Sequence, residues 1–339
     1  MRMRNISRRA SFRFAAGGLV APAICGHARA ADVMWRLGHA APLDTPLHRR
    51  LLEAADAIEK RSDGQMRLTV VGEGRAGIQS GLLAQVRDGG IEMAVASCGS
   101  LGSILPVCSV PSIGFLFSDY KAVWSAMDGE LGQLIRAQIP TRFGMMVLDR
   151  IWDFGFRHVT TSTRPIQTAA DIAGLKIRTQ IDSEEMDMFR ALSVTPVVIT
   201  LPYLRMALEH RQVDGQEGML AVVRYARLNE VQGYCALTRH IWDGLWLCVN
   251  PAAWRNLPDR LQHVVANTLN GAARRQREDS AAMEDSLKAT LARGGMKFVA
   301  VNSDSFREVL REKGYYALLK TRLGEQTWNV IQKATAIPA

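Results

Sequence analysis

The chain is 339 residues long, with 42 Lys and Arg against 33 Asp and Glu and a formal net charge of +9. That length exceeds what one hydrophobic core normally serves, so two lobes are the default. No run of 18 or more apolar residues occurs, which argues against a membrane span, and no Lys/Arg block with interleaved aromatics occurs, which argues against nucleic acid as a partner.

Residues 1–30 carry Arg2, Arg4, Arg8, Arg9, Arg13 and Arg29 and no acid. A mildly apolar run, Phe14 to Cys25, follows, and Ala28-Arg29-Ala30 supplies the small residues of a cleavage site. This reads as an export signal, too short and too rich in Gly and Ala to span a bilayer. Ser7 to Arg13 is similar to a twin-arginine signal but has Ser11 where an aromatic is usual, so a general secretory signal is the alternative. Pro22-Ala23-Ile24 makes a poor lipoprotein motif before Cys25. Without the six arginines, 36 basic residues remain against 33 acidic, and the charge falls to about +3.

Strand and helix then alternate. Met34 to Gly38 reads as a strand, Pro46 to Arg61 as a helix stopped by Ser62-Asp63-Gly64, and Met66 to Val71 as a second strand. Ile78 to Arg87 reads as a helix and Ile91 to Ala96 as a third strand. Such spacing predicts an α/β fold with parallel sheets. Met145–Leu148 and Phe156–Val159 read as strands carrying the chain into a second lobe. Ile177–Thr179 and Val197–Ile199 continue a second sheet there, and Leu245–Val249 returns to the first lobe. Two such crossings make a hinge. After Pro258 the chain runs to Arg293 with no further proline and one glycine, Gly271, which fits either one long helix or two helices broken near Asn270-Gly271.

Gly72-Glu73-Gly74-Arg75-Ala76-Gly77 is a literal GxGxxG between a strand and a helix, with Glu92 twenty residues after Gly72. Glu92 falls at the beginning of its strand, whereas a ribose-binding acid belongs at the end, so the glycines are read as a turn. Of the cysteines beyond the leader, Cys98, Cys108, Cys235 and Cys248, none shows CxxC spacing. An oxidising compartment permits disulfides, but apolar contexts favour buried thiols. The seven histidines are scattered, which argues against a metal. There is no GxSxG, and Asp182, Glu184 and Glu185 read as the solvated cap of a helix. No catalytic residue, metal or cofactor is expected.

The most informative stretch is Asp171-Ile172-Ala173-Gly174-Leu175-Lys176-Ile177-Arg178, followed by Asp214-Gly215-Gln216-Glu217. A strand ending on an arginine presents a planar fork that matches a carboxylate. A turn carrying an amide and an acid serves the same end. Together these segments resemble the signature of the solute-binding subunit of tripartite ATP-independent periplasmic (TRAP) transporters, and the resemblance runs from about Arg36 to Glu325. It implies a two-lobed α/β periplasmic binding protein with a hinge and a long bracing helix. Residues 1–30 would be the signal, 31–154 plus 243–279 the first lobe, and 155–242 plus 280–339 the second. It also implies a monomeric periplasmic receptor that captures a small organic anion and hands it to TRAP membrane carrier subunits. A ligand-sensing subunit of a signalling system and an exported enzyme are the alternatives.

Arg178 is the expected carboxylate clamp. Arg157 is either a second ligand contact or the partner of an acid such as Asp153 or Glu217. Trp152 is either a flat wall of the pocket or a core residue. Gln216 belongs to the second signature, and Ser97 ends the third strand, where ligands gather in open α/β folds. Trp246, with Trp242, flanks the second crossing. Two departures stand out: Gly218 occupies a position where the family typically has Asn, and Pro202-Tyr203-Leu204-Arg205 replaces a Ser-Glu-Xaa-Tyr pattern. Tyr203 faces either the cleft or a packing partner. One clamp with few amides favours an apolar or aromatic monocarboxylate, and Arg157 as a second free cation favours a short dicarboxylate, so these two rank level, ahead of sugar acids.

Overall fold

The computed structural model describes residues 32–77, 79–180, 183–335 and 337. The expected export leader with Cys25, and also Ile78 and Asp182, lie outside the described residues. Ten strands are described: β1 (Val33–Gly38), β2 (Met66–Val71), β3 (Met93–Ser97), β4 (Met146–Val147), β5 (Trp152–Thr161), β6 (Lys176–Thr179), β7 (Thr195–Val198), β8 (Gly215–Gly218), β9 (Tyr234–Val249) and β10 (Lys297–Val299). Their order is β2-β1-β3-β9-β5-β8-β6-β7, with β4 and β10 added to β9. β1 runs parallel to β2 and β3, and β6 runs parallel to β7 and β8. Between these two parallel groups lie β9 and β5, antiparallel to each other and to their outer neighbours.

The two sheets expected from sequence are therefore one, curled through a two-lobed α/β fold. The physical reason is the length of β9. Its 16 residues extend about 50 Å at ~3.3 Å per residue. Its Leu245–Val249 end pairs with β3, and its Tyr234–Ala236 end pairs with β10. Only the first of these segments has an apolar strand signature, because Thr238, Arg239 and His240 interrupt the pattern. β5 crosses beside β9 with register shifts between Asp153 and Gly155 and between Arg157 and Val159. Such irregularities bend a strand and re-aim its side chains. Gly155, at φ +109°, takes a backbone conformation that a side chain would strain.

Fourteen helices accompany the sheet among the described residues. α1 (Pro46–Arg61) starts on Thr45, whose hydroxyl accepts from His48 N, with Pro46 in the first turn. Then come α2 (Gln79–Asp88), α3 (Cys98–Gly102), α4 (Tyr120–Asp128) and α5 (Glu130–Phe143). Next are α6 (Ala169–Ile172), α7 (Ser183–Ala191), α8 (Leu201–Glu209) and α9 (Leu220–Tyr225). The chain continues through α10 (Pro251–Arg255), α11 (Asp259–Arg293), α12 (Ser303–Glu312), α13 (Tyr315–Leu323) and α14 (Glu325–Ala334).

α11 is one helix of 35 residues, unbroken at Asn270-Gly271. The Asn270 side chain accepts from Arg150 N at 3.0 Å, so its amide serves a neighbouring loop instead of competing for its own helix backbone. At about 1.5 Å per residue the helix reaches along both lobes. Asp279 accepts from Arg50 Nε of α1 at 2.7 Å. Gln276 receives Asp153 N at 2.9 Å and donates to Asp153 O at 2.6 Å, acting as a strand partner for β5. Leu287 and Leu291 join Leu204, Val223 and Cys235 in one core cluster. A second cluster packs Leu37, Leu51, Ile58, Leu247 and Val265 together, and a larger one includes Phe189, Trp242 and Trp246. Cys98, Cys108, Cys235 and Cys248 are free and buried. Burial pushes the thiols of Cys108, Cys235 and Cys248 up to about 12.

Candidate ligand-binding site

A cavity of about 1320 Å³ is lined by residues at the ends of β1, β3 and β6 (His39, Ser97, Arg178), by Arg157 and Asp243 from the two crossing strands, and by Glu217 and Gly218 of β8. Placement at the carboxyl ends of parallel strands follows from fold topology, since helices there diverge and leave a crevice.

Arg178 is 5% exposed, and its Nε donates to Ile199 O at 2.7 Å. That bond ties the guanidinium to the turn after β7 and fixes its plane. Among the described residues no carboxylate forms an ion pair with it. Burial, with Arg157 nearby, pushes its pKa down, while Glu217 and Glu185 oppose the shift. Arginine nevertheless stays charged, so the shift measures how poorly the surroundings solvate that charge. An anion entering the cavity would relieve it.

Arg157 is neutralised from within. Its Nε and Nη2 donate to the two oxygens of Glu217, and Nη1 lies 3.7 Å from Asp243. Gln180, with its amide oxygen turned inward, accepts from Nη1 and Nη2 at 2.7 and 2.6 Å. Burial works against the charge of Arg157, but Glu217 and Glu185 outweigh it and raise the pKa. Burial alone would likewise raise the Glu217 carboxyl. Arg157 and His240 override it and hold the group well below the usual carboxylate range. His240 Nε2 lies 3.5 Å from Glu217, and Nδ1 lies 2.7 Å from the Thr238 hydroxyl. Burial lowers the His240 pKa, as it does for His39, which falls to about 4 with His48 adding to the effect.

The structure brings Arg178, Arg157 and Ser97 to the cavity. It does not bring Trp152, Gln216, Tyr203 or Trp246 there. Trp152 and Trp246 are buried in core clusters. Gln216 is buried and donates to the Thr160 hydroxyl at 3.0 Å. Tyr203 is 62% exposed on the outside of α8, and Leu201 at the start of that helix lines the cavity instead. The acids of α7 are not a solvated cap. Glu184 pairs with Arg322 at 3.1 Å and Glu185 lines the cavity, because α13 packs over the start of α7. His240, Asp243 and Gln180 went unread in the sequence. The one signal for His240 was the polar interruption of β9.

The GxGxxG segment is a turn: Gly72 O accepts from Arg75 N and Gly74 O from Gly77 N. A Cβ on Gly72 would come within 2.6 Å of Leu43 and 3.0 Å of the His39 ring. Glu92 precedes β3 and accepts from Arg36 N at 2.7 Å.

Two lobes around a cleft that holds a buried cation define a solute-binding receptor. The chain belongs to the family described as bacterial extracellular solute-binding protein, family 7, which matches residues 37–316. It is 29% identical to the 2,3-diketo-L-gulonate-binding periplasmic protein YiaO of Escherichia coli, over 69% of this chain and 72% of that one. A TRAP periplasmic solute-binding protein from Ochrobactrum anthropi, with its C-terminus bound in the ligand pocket, superposes with a TM-score of 0.85 at 25% identity. That match covers 90% of this chain and 95% of the other. Another from Polaromonas, bound to D-erythronate, gives 0.79 at 27% identity over 91% and 99%.

Proposed function

We propose that this protein captures a small organic acid by its carboxylate in the periplasm and delivers it, as a monomer and without chemical turnover, to the membrane subunits of a TRAP transporter. The observation that carries this reading is Arg178, a buried guanidinium that borders the cavity with no ion-pair partner among the described residues. The E. coli and Polaromonas relatives, whose names specify carboxylate anions, support it. Residues 31–154 plus 243–279 form the first lobe in this reading, and 155–242 plus 280–339 the second. The crossings of β5 and β9 are the hinge. Closure around the ligand excludes water, and the lower local dielectric strengthens the Arg178–carboxylate link.

Native mass spectrometry of protein purified without refolding tests the reading. A retained small acid, displaced by other carboxylates, is the expected result. A neutral or cationic solute held in its place would sink it.

A further inference from the structure

The wall of the cavity formed by the second lobe carries more than Arg178. Leu201, Met219, Ala221, Val222, Met283 and Leu287 line it as well. Leu201 lies two residues beyond Ile199, the carbonyl partner of Arg178, so this apolar stretch begins beside the clamp. Met283 and Leu287 stand one helical turn apart on α11 and face the same way. Leu287 belongs to the core cluster of the second lobe, and Leu201, Ala221 and Met283 pack against it. The cluster is therefore not sealed by its own lobe but opens into the cavity. Gly218, on the same wall, adds no side chain, while Gln180, Arg224 and Tyr225 also line the cavity. Water against such a surface makes few hydrogen bonds, and a hydrocarbon displaces it favourably.

We propose that this face is a subsite for the body of the ligand, and that it selects a monocarboxylate with a hydrocarbon chain or ring over a polyhydroxylated acid. The proposal rests on the reading of Arg178 as the carboxylate clamp. A polyhydroxylated acid seated on these six side chains would give up water from its hydroxyls to groups that carry no nitrogen or oxygen to replace it.

Calorimetric titration of the full mature chain with butanoate, hexanoate, octanoate and gluconate tests it. Each added methylene is expected to raise affinity about fourfold, and hexanoate should bind at least about tenfold tighter than gluconate, which has the same number of carbons. Affinity that is flat with chain length, or gluconate binding tighter than hexanoate, overturns the subsite while leaving the carboxylate clamp standing. Failure of all four acids, and of a wider carboxylate panel, to bind overturns the clamp itself. The double variant Val222→Asn, Met283→Gln gives a second readout. Its octanoate-to-butanoate affinity ratio is expected to fall about tenfold, and an unchanged ratio in folded protein overturns the subsite.

Discussion

Arg157 and Arg178 are both buried, line the same cavity and lie on strands separated only by β8. Their charges are handled in opposite ways. Arg157 meets the Glu217 carboxylate with two hydrogen bonds, and its remaining donors find Gln180 and the vicinity of Asp243. Arg178 has a backbone carbonyl on Nε and, among the described residues, no acid in ion-pair contact. Arg157 is thus part of the frame, and Arg178 is a charge the fold leaves to be completed. The comparison separates stability from binding, since a buried pair broken on one side strands a charge, while an uncompensated cation costs the fold and rewards an anion.

The largest effect expected is on stability. Arg157→Ala strands Glu217 in the interior and should cost about 3–5 kcal/mol, read from denaturant unfolding. A loss below about 1 kcal/mol would mean that the pair does not hold the crossing strands. Arg178→Ala should do the reverse. Thermal unfolding should change little, while affinity for the retained acid falls by about 2–5 kcal/mol, or 30- to several-thousand-fold. A loss under about threefold in calorimetry would move the anion site elsewhere.

A smaller effect concerns the hinge itself. Asp153 sits at the crossing, with Trp124 Nε1 and Trp242 Nε1 donating to one oxygen at 2.9 and 3.0 Å. Burial raises its pKa from the ordinary 3.8 to about 7, against the two indole bonds. Because the folded value is the higher one, its contribution is fully present below pH ~4 and is lost as pH rises through about 7. Stability should therefore fall by at most about 1.4 kcal/mol per pH unit across that window. Asp153→Asn should flatten the slope, and a slope identical to that of the parent protein would remove Asp153 as its source. Glu217 has the opposite sign. Its folded pKa is depressed, so its contribution is present at neutral pH and lost only as pH falls below the usual carboxylate range. Last, the buried thiols should resist iodoacetamide in native protein at pH 8 and react on unfolding. Rapid native labelling of Cys235 would mean that the second lobe opens locally.

Much of this was written in local sequence. The alternation that sets the α/β class, the first helix Pro46–Arg61 and the strand Met66–Val71 follow from periodicity and stop signals, because neighbouring residues alone decide them. The Gly174–Arg178 stretch placed a buried arginine at the cavity, since a strand end fixes where one long side chain points. Tertiary structure decided the rest. Only the neighbours of α11 determine that it passes Asn270-Gly271 unbroken. Only pairing shows that β9 runs sixteen residues and joins two sheets into one. Trp152, Gln216, Tyr203 and Trp246 were placed by their positions in the crossing segments and the family signatures, but burial depends on which face meets another element, and that is set by contacts far apart in the chain. The partnering of Arg157 with Glu217, sixty residues later, and the apolar wall assembled from α8, α9 and α11 arise the same way. Long-range packing, which no local pattern encodes, determines which buried charge is matched by an acid of the fold and which is not.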